Sequence, residues 1–202
     1  MFSINKSEHE KTRRLVGMAI LTALVLVLQA ISANVKFGPF TVTLTLIPIV
    51  IGGILYGAKF GAALGGIFGI IVYITCISGL DAGGYMLFSV NPVYNGIQCI
   101  GKGILAGFIP AVVYKPLANK NITVATVVAA LLAPVVNTGA FLLFMFTVFY
   151  DVLCEWAGNT PIAVYVVTIL VGLNFIVEFA VSAVMSPAIV TVIREISKRQ
   201  RQ

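Results

Sequence analysis

Residues 96–103 read GIQCIGKG. This is one residue short of the phosphate-cradling pattern G-x-x-x-x-G-K-[ST]. A phosphate loop needs a hydroxyl after the lysine to reach Mg²⁺, and it follows a buried strand of a soluble α/β unit. Here Gly103 follows Lys102, so the magnesium ligand is missing. The alternative is that Lys102 belongs to a polar stripe on a helix. Asn91, Asn95, Gln98 and Lys102 are spaced by four, three and four residues, which puts them on one helical face. Two more groups of polar residues stand inside long apolar runs. One is Asn137 with Thr138. The other is Asn174, Glu178, Ser182 and Ser186, in strict four-residue steps.

Composition decides between these readings. Of the 202 residues, 59% are hydrophobic and 10% charged, with a mean hydropathy of +1.05. So little polar surface cannot cover a water-soluble core, so the chain reads as an all-α polytopic membrane protein. The net charge of +6 is carried at chain ends and short loops, which fits membrane topology and no nucleic-acid partner. The three cysteines, Cys76, Cys99 and Cys154, form no C-x-x-C, and the single histidine is His9. No metal site, cofactor or disulfide framework is expected from them.

Six spans of about 20 apolar residues are expected to carry the stripes: 12–33, a shorter 43–56, 60–78, 92–114, 123–150 and 162–193. The run Leu15–Ala33 is too long for a cleaved signal's apolar region, so it is read as a retained first span. Connections are short, and residues 1–202 are read as one membrane domain, with an N-tail at 1–11 and a basic C-tail at 194–202. With the N-terminus inside, eleven of the 13 Lys and Arg residues fall on the cytoplasmic side, while Asp81, Asp151 and Glu155 fall outside. Both termini are therefore expected in the cytoplasm of a multi-pass plasma-membrane protein.

Lys102 then lies about 11 residues, or about 16 Å, from the outer end of the fourth span, near the midplane. A lysine there costs roughly 2.5–3.5 kcal/mol on insertion scales and must face the protein interior. Glu178 is the acidic residue well inside a span. The two could form a structural pair. They could instead line a site for a small anionic, oxygen-rich solute. Lys102 would hold its carboxylate, Glu178 would keep the lysine oriented and charged, and Asn91, Asn95, Gln98, Asn137 and Asn174 would hydrogen-bond it. Tyr94 is one of several aromatics near the outer mouth that could cap it. The loops around 38–43 and 81–88 could cover the site. Small residues at four-residue spacing, Ala19 and Ala23 in the first span and Gly61, Gly65 and Gly69 in the third, favour close helix packing. The glycines suggest internal packing, and the alanines leave an external partner open.

Taken together, these segments resemble the substrate-binding S component of energy-coupling-factor (ECF) vitamin transporters. The likeness runs through MAILTAL, TVTLTLIPIVIGGILYGAKFGAALGGIFGII, NPVYNGIQCIGKGILAGFIPAVVYK, APVVNTGAFLL and LNFIVEFAVSAVMSPAIV. It implies a six-helix bundle without its own ATPase that captures a vitamin from outside. It also implies docking through Ala19 and Ala23 on a membrane T subunit with two cytoplasmic ATPases. The segments KGILAGFIPAVVY and APVVNTGAF look most like the pantothenate branch. An S component for another vitamin such as riboflavin, or a secondary transporter in which Glu178 carries a proton, are the alternatives. A membrane enzyme finds no support, because no nucleophile stands beside a base and no carboxylates are paired in sequence.

Overall fold

Backbone N–H and C=O groups have no water to bond in hydrocarbon, so apolar segments of this length must satisfy them internally as helices. The computed structural model describes residues 6–32, 36–37, 40–41 and 43–201. Its helices are α1 (Lys6–Ser32), α2 (Leu46–Tyr56), α3 (Ala58–Ile77), α4 (Ala82–Val90), α5 (Pro92–Ala118), α6 (Ile122–Thr147), α7 (Tyr150–Ala157), α8 (Ile162–Tyr165) and α9 (Gly172–Arg201). Between α1 and α2, Lys36–Phe37 pairs antiparallel with Phe40–Thr41. Residues 38, 39 and 42 of the expected covering loop lie outside the described residues.

Five of these helices, α1, α3, α5, α6 and α9, are long and apolar enough to cross a membrane. Helix α2 has 11 residues, about 16 Å of rise, and reaches only about half-way through a 30 Å hydrocarbon core. Three further differences from the expected spans matter for the site. The connection at 79–91 contains α4, started by Asp81, whose Oδ1 accepts the Gly84 N–H at 2.7 Å. The connection after the fifth span contains α7. The expected sixth span is broken: α8 runs into a π-helical turn, Val166–Leu170, and α9 restarts at Gly172. The segments Tyr150–Ala157 and Ile162–Leu170 meet at an 88° bend.

Helix starts follow from local chemistry. Asn91 accepts the Tyr94 N–H at 3.1 Å and Pro92 occupies the first turn of α5. Asn121 accepts the N–H groups of Thr123 and Val124 at the start of α6. Such caps satisfy donors that the helix leaves open, and proline lacks one of them. At the end of the bundle that holds Asn121, Arg14 Nη2 donates to the Tyr56 carbonyl at 2.8 Å. This ties α1 to the C-terminal, electronegative end of α2.

The bundle is organised by the contact of α3 with α5. Gly61 meets Gly107, Gly65 meets Gly103, and Gly69 meets Cys99 and Ile100. Each four-residue step along α3 matches a four-residue step back along α5. A Cβ added at Gly65 or Gly103 would run into the other's backbone carbonyl, so the two backbones touch. Gly53 of α2 joins the same seam beside Gly61 and Gly107. The internal-packing reading of the third span's glycines is what the structure shows, and the near-phosphate loop is unbroken α5 helix. Around this seam lie Leu21 and Val25 of α1, Ile49 of α2, and Leu64, Phe68 and Val72 of α3. A second cluster, Leu87, Met145, Phe149, Leu153, Val166 and Leu170, packs α4 and α7 over the end of α6.

Gly65→Ala should therefore lower stability by at least about 1–3 kcal/mol, the range for overpacking, because its neighbour is backbone and cannot rotate away. Gly101→Ala on the same seam helix meets open space and should be neutral. Thermal unfolding of the two detergent-purified variants against the parent checks the contrast. Equal melting temperatures for Gly65→Ala and the parent would contradict it.

Candidate functional site

Beneath α4 and the π-helical turn, the helices part around a cavity of about 540 Å³, counted out to its mouth. Its polar lining comes from Lys102 of α5, Asn137 and Thr138 of α6, Asn174 and Glu178 of α9, Asp81 before α4 and Thr43 before α2. Its apolar lining includes Val72, Phe141, Leu170, Val171 and Phe175.

Each polar group reaches the cavity for a local reason. Lys102 directly precedes Gly103, and the glycine seam presses α5 against α3 at that level, leaving the lysine to project toward α6. Its Nζ lies 5.5 Å from the centre of the Phe141 ring, within the range of cation–π attraction. Glu178, 6% exposed, accepts the backbone N–H of Thr43 at 2.8 Å through Oε1. Among the described residues no Lys102–Glu178 ion pair within 4.0 Å is formed. The two charges share the cavity with different neighbours. Asn137 is 5% exposed, and its Oδ1 has no donor among the described residues. In a place this dry, that acceptor is an opening for a ligand hydroxyl or amide N–H.

Of the residues singled out in the sequence, Lys102, Asn137, Asn174 and Glu178 line the cavity. Asn91, Tyr94, Asn95 and Gln98 do not. Asn91 caps α5, and Tyr94 is 47% exposed on the outside of the bundle. Asn95 and Gln98 are each 1% exposed. Gln98 Nε2 donates to the Phe141 carbonyl at 3.4 Å, and Asn95 Oδ1 stands 4.0 Å from Cys99 Sγ. The stripe is continuous along α5, but α6 covers it at Gln98, and it reaches the cavity at Lys102. Farther along α9, Ser182 and Ser186 are buried below the cavity, and the Ser186 hydroxyl donates to the Ser182 carbonyl at 2.7 Å.

Sequence reasoning missed the apolar wall. Phe141 stands one turn beyond Asn137, and Phe175 directly follows Asn174, so both could be found from their polar neighbours. Leu170 and Val171 reach the cavity because the π-helical turn shifts the helix face there, and such turns are frequent at functional sites. Gly172, where an added Cβ would strike the Val167 carbonyl, is the sequence trace of that turn. Ala19 and Ala23 are exposed on α1, among the equally exposed Leu15, Val16, Ile20 and Val27.

Two comparisons bear on this arrangement. The family model described as "ECF transporter, substrate-specific component" matches residues 13–190. The chain is also 27% identical over 184 residues to the pantothenic acid transporter PanT of Lactococcus lactis subsp. cremoris (strain MG1363), covering 86% of this chain and 89% of that protein. Five membrane-length helices, a half-span, a polar cavity among them and a family match over most of the length agree with one another. The chain belongs to the substrate-specific components of the ECF transporters, and is a multi-pass protein of the plasma membrane.

Proposed function

We propose that this chain captures pantothenate from outside the cell and delivers it to an ECF-type importer with a membrane-embedded T subunit and two cytoplasmic ATPases. The observation that carries the reading is the cavity itself, where a single lysine faces amides, hydroxyls, the carboxyl groups of Asp81 and Glu178 and an apolar wall. Pantothenate offers one carboxylate for Lys102. Its amide and two hydroxyls suit Asn137, Thr138 and Asn174, and its branched carbon skeleton suits Leu170, Val171 and Phe175. The name of the relative from Lactococcus lactis supports the same substrate. The charge pattern of the loops supports cytoplasmic termini, with the cavity mouth toward the outside. The exposed apolar face of α1 around Ala19 and Ala23 supports docking there, because small residues let a partner helix approach closely.

A ligand that binds the native state raises its melting temperature by mass action, with about 2.7 kcal/mol of added stability at 100-fold excess over Kd. In a thermal-shift panel of pantothenate, riboflavin, thiamine, folate, biotin and pyridoxine, pantothenate alone should shift the protein. A shift with a different vitamin would overturn the substrate and leave the family untouched.

Replacing both Ala19 and Ala23 with Trp should abolish co-purification with the T subunit and its ATPases, while the pantothenate-induced thermal shift persists. Undiminished co-purification would move the docking face elsewhere.

A further inference from the structure

Three ionisable side chains line the cavity: Lys102 from α5, Asp81 from the turn before α4, and Glu178 from α9. The elements packed against Glu178 add little to these. Helix α6 contains no titratable residue, and α2 has only Tyr56 at its far end. The segment α8 contributes Tyr165, within the apolar cluster below α7. On α9 itself Arg194 and Glu195 lie about four turns away. Cys76 and Cys99, with sulfurs 3.9 Å apart, are buried on the α3–α5 seam and do not line the cavity.

The two acids differ in what holds their charge. Asp81 caps α4 through the Gly84 N–H, at a helix N-terminus that favours a negative group. Lys102 balances one negative charge. Glu178 is then the charge in excess, held by neutral donors, the Thr43 N–H and, beside it, the Thr43 hydroxyl and the Asn137 amide, with no Lys or Arg within 4.0 Å among the described residues. Fully ionised, the cavity carries one net negative charge. An anionic ligand would raise this to two in a place where uncompensated charge is costly. A proton from solvent on Glu178 returns it to one. The neutral carboxyl still accepts the Thr43 N–H on its carbonyl oxygen. It also gains an O–H with which to donate to a ligand oxygen, which the carboxylate cannot do.

We propose that this chain takes up one proton with each anionic substrate it binds, and that Glu178 holds that proton. The inference rests on the pantothenate reading above. It assigns Glu178 to proton uptake and ligand hydrogen bonding, instead of to orienting Lys102. Proton and ligand then favour each other, so affinity is greatest at lower pH and falls as pH rises. A ligand carboxylate stays ionised over the range from about pH 6 to about pH 8, so the fall reports the protein.

The test is isothermal titration calorimetry of pantothenate into the detergent-purified full chain, in buffers of differing ionisation enthalpy. The expected result is net uptake approaching one proton per ligand, with Kd rising by up to about tenfold per pH unit. In Glu178→Gln the proton uptake should vanish and Kd should no longer change with pH. Binding by the unaltered chain with no proton exchange and a flat Kd overturns the proposal, and so does proton uptake that survives in Glu178→Gln. If pantothenate does not bind anywhere between about pH 6 and about pH 8 while another vitamin binds, the substrate reading fails and this inference falls with it.

Discussion

The backbone contact between α3 and α5 is the constraint on which the rest of the structure depends. In lipid, helices gain little from burying apolar side chains against each other, since the surrounding chains are equally apolar, so close packing has to supply the association. Gly61, Gly65 and Gly69 on one side and Gly103 and Gly107 on the other remove every side chain that would hold the axes apart. The addition of Gly53 makes this a three-helix node, which fixes the short α2 even though it cannot cross the membrane.

That seam also decides where the charge goes. Lys102 stands next to Gly103, and with α3 pressed against α5 the lysine projects toward α6 and α9, where Phe141 and the cavity lie. Glu178 reaches the same cavity from α9 and is held by the backbone of Thr43. A charged group in a span is tolerated when it faces a polar cavity, so the cavity and the charges require one another. The separate neighbours of the two charges leave Lys102, among the described residues, without a carboxylate at salt-bridge distance. A lysine in that state is suited to a carboxylate brought by a ligand.

Much of this was legible in the sequence, for physical reasons that also explain the rest. Spans are written in long apolar runs. A polar residue within such a run carries its own signal, because it is costly unless it faces the interior. Hence Lys102, Asn137, Asn174 and Glu178 could be named in advance as interior residues. Asn91, Asn95 and Gln98 carried the same signal, but cap and backbone interactions compete for amides, and spacing does not reveal which competitor wins. Phe141, Phe175, Leu170 and Val171 carried little signal, because an apolar residue in an apolar helix looks the same whether it faces lipid or ligand. The short α4 and α7 were hidden by Gly83–Gly84 and by Asp151 and Glu155, which read as loop. Their buried faces, Leu87 in α4 and Leu153 in α7, become visible only once the underlying helices are in place.

The central claim is that Lys102 receives the carboxylate of the captured solute. Its most direct test is the equilibrium affinity of a folded Lys102→Met protein for radiolabelled pantothenate, alongside pantothenol, in which an alcohol replaces the carboxylate. The account predicts a loss for pantothenate of about 10- to 100-fold, within the roughly 1.5–3 kcal/mol typical of a hydrogen bond to a charged group, and little change for pantothenol. Unchanged pantothenate affinity in Lys102→Met, with melting behaviour like that of the parent, would contradict it.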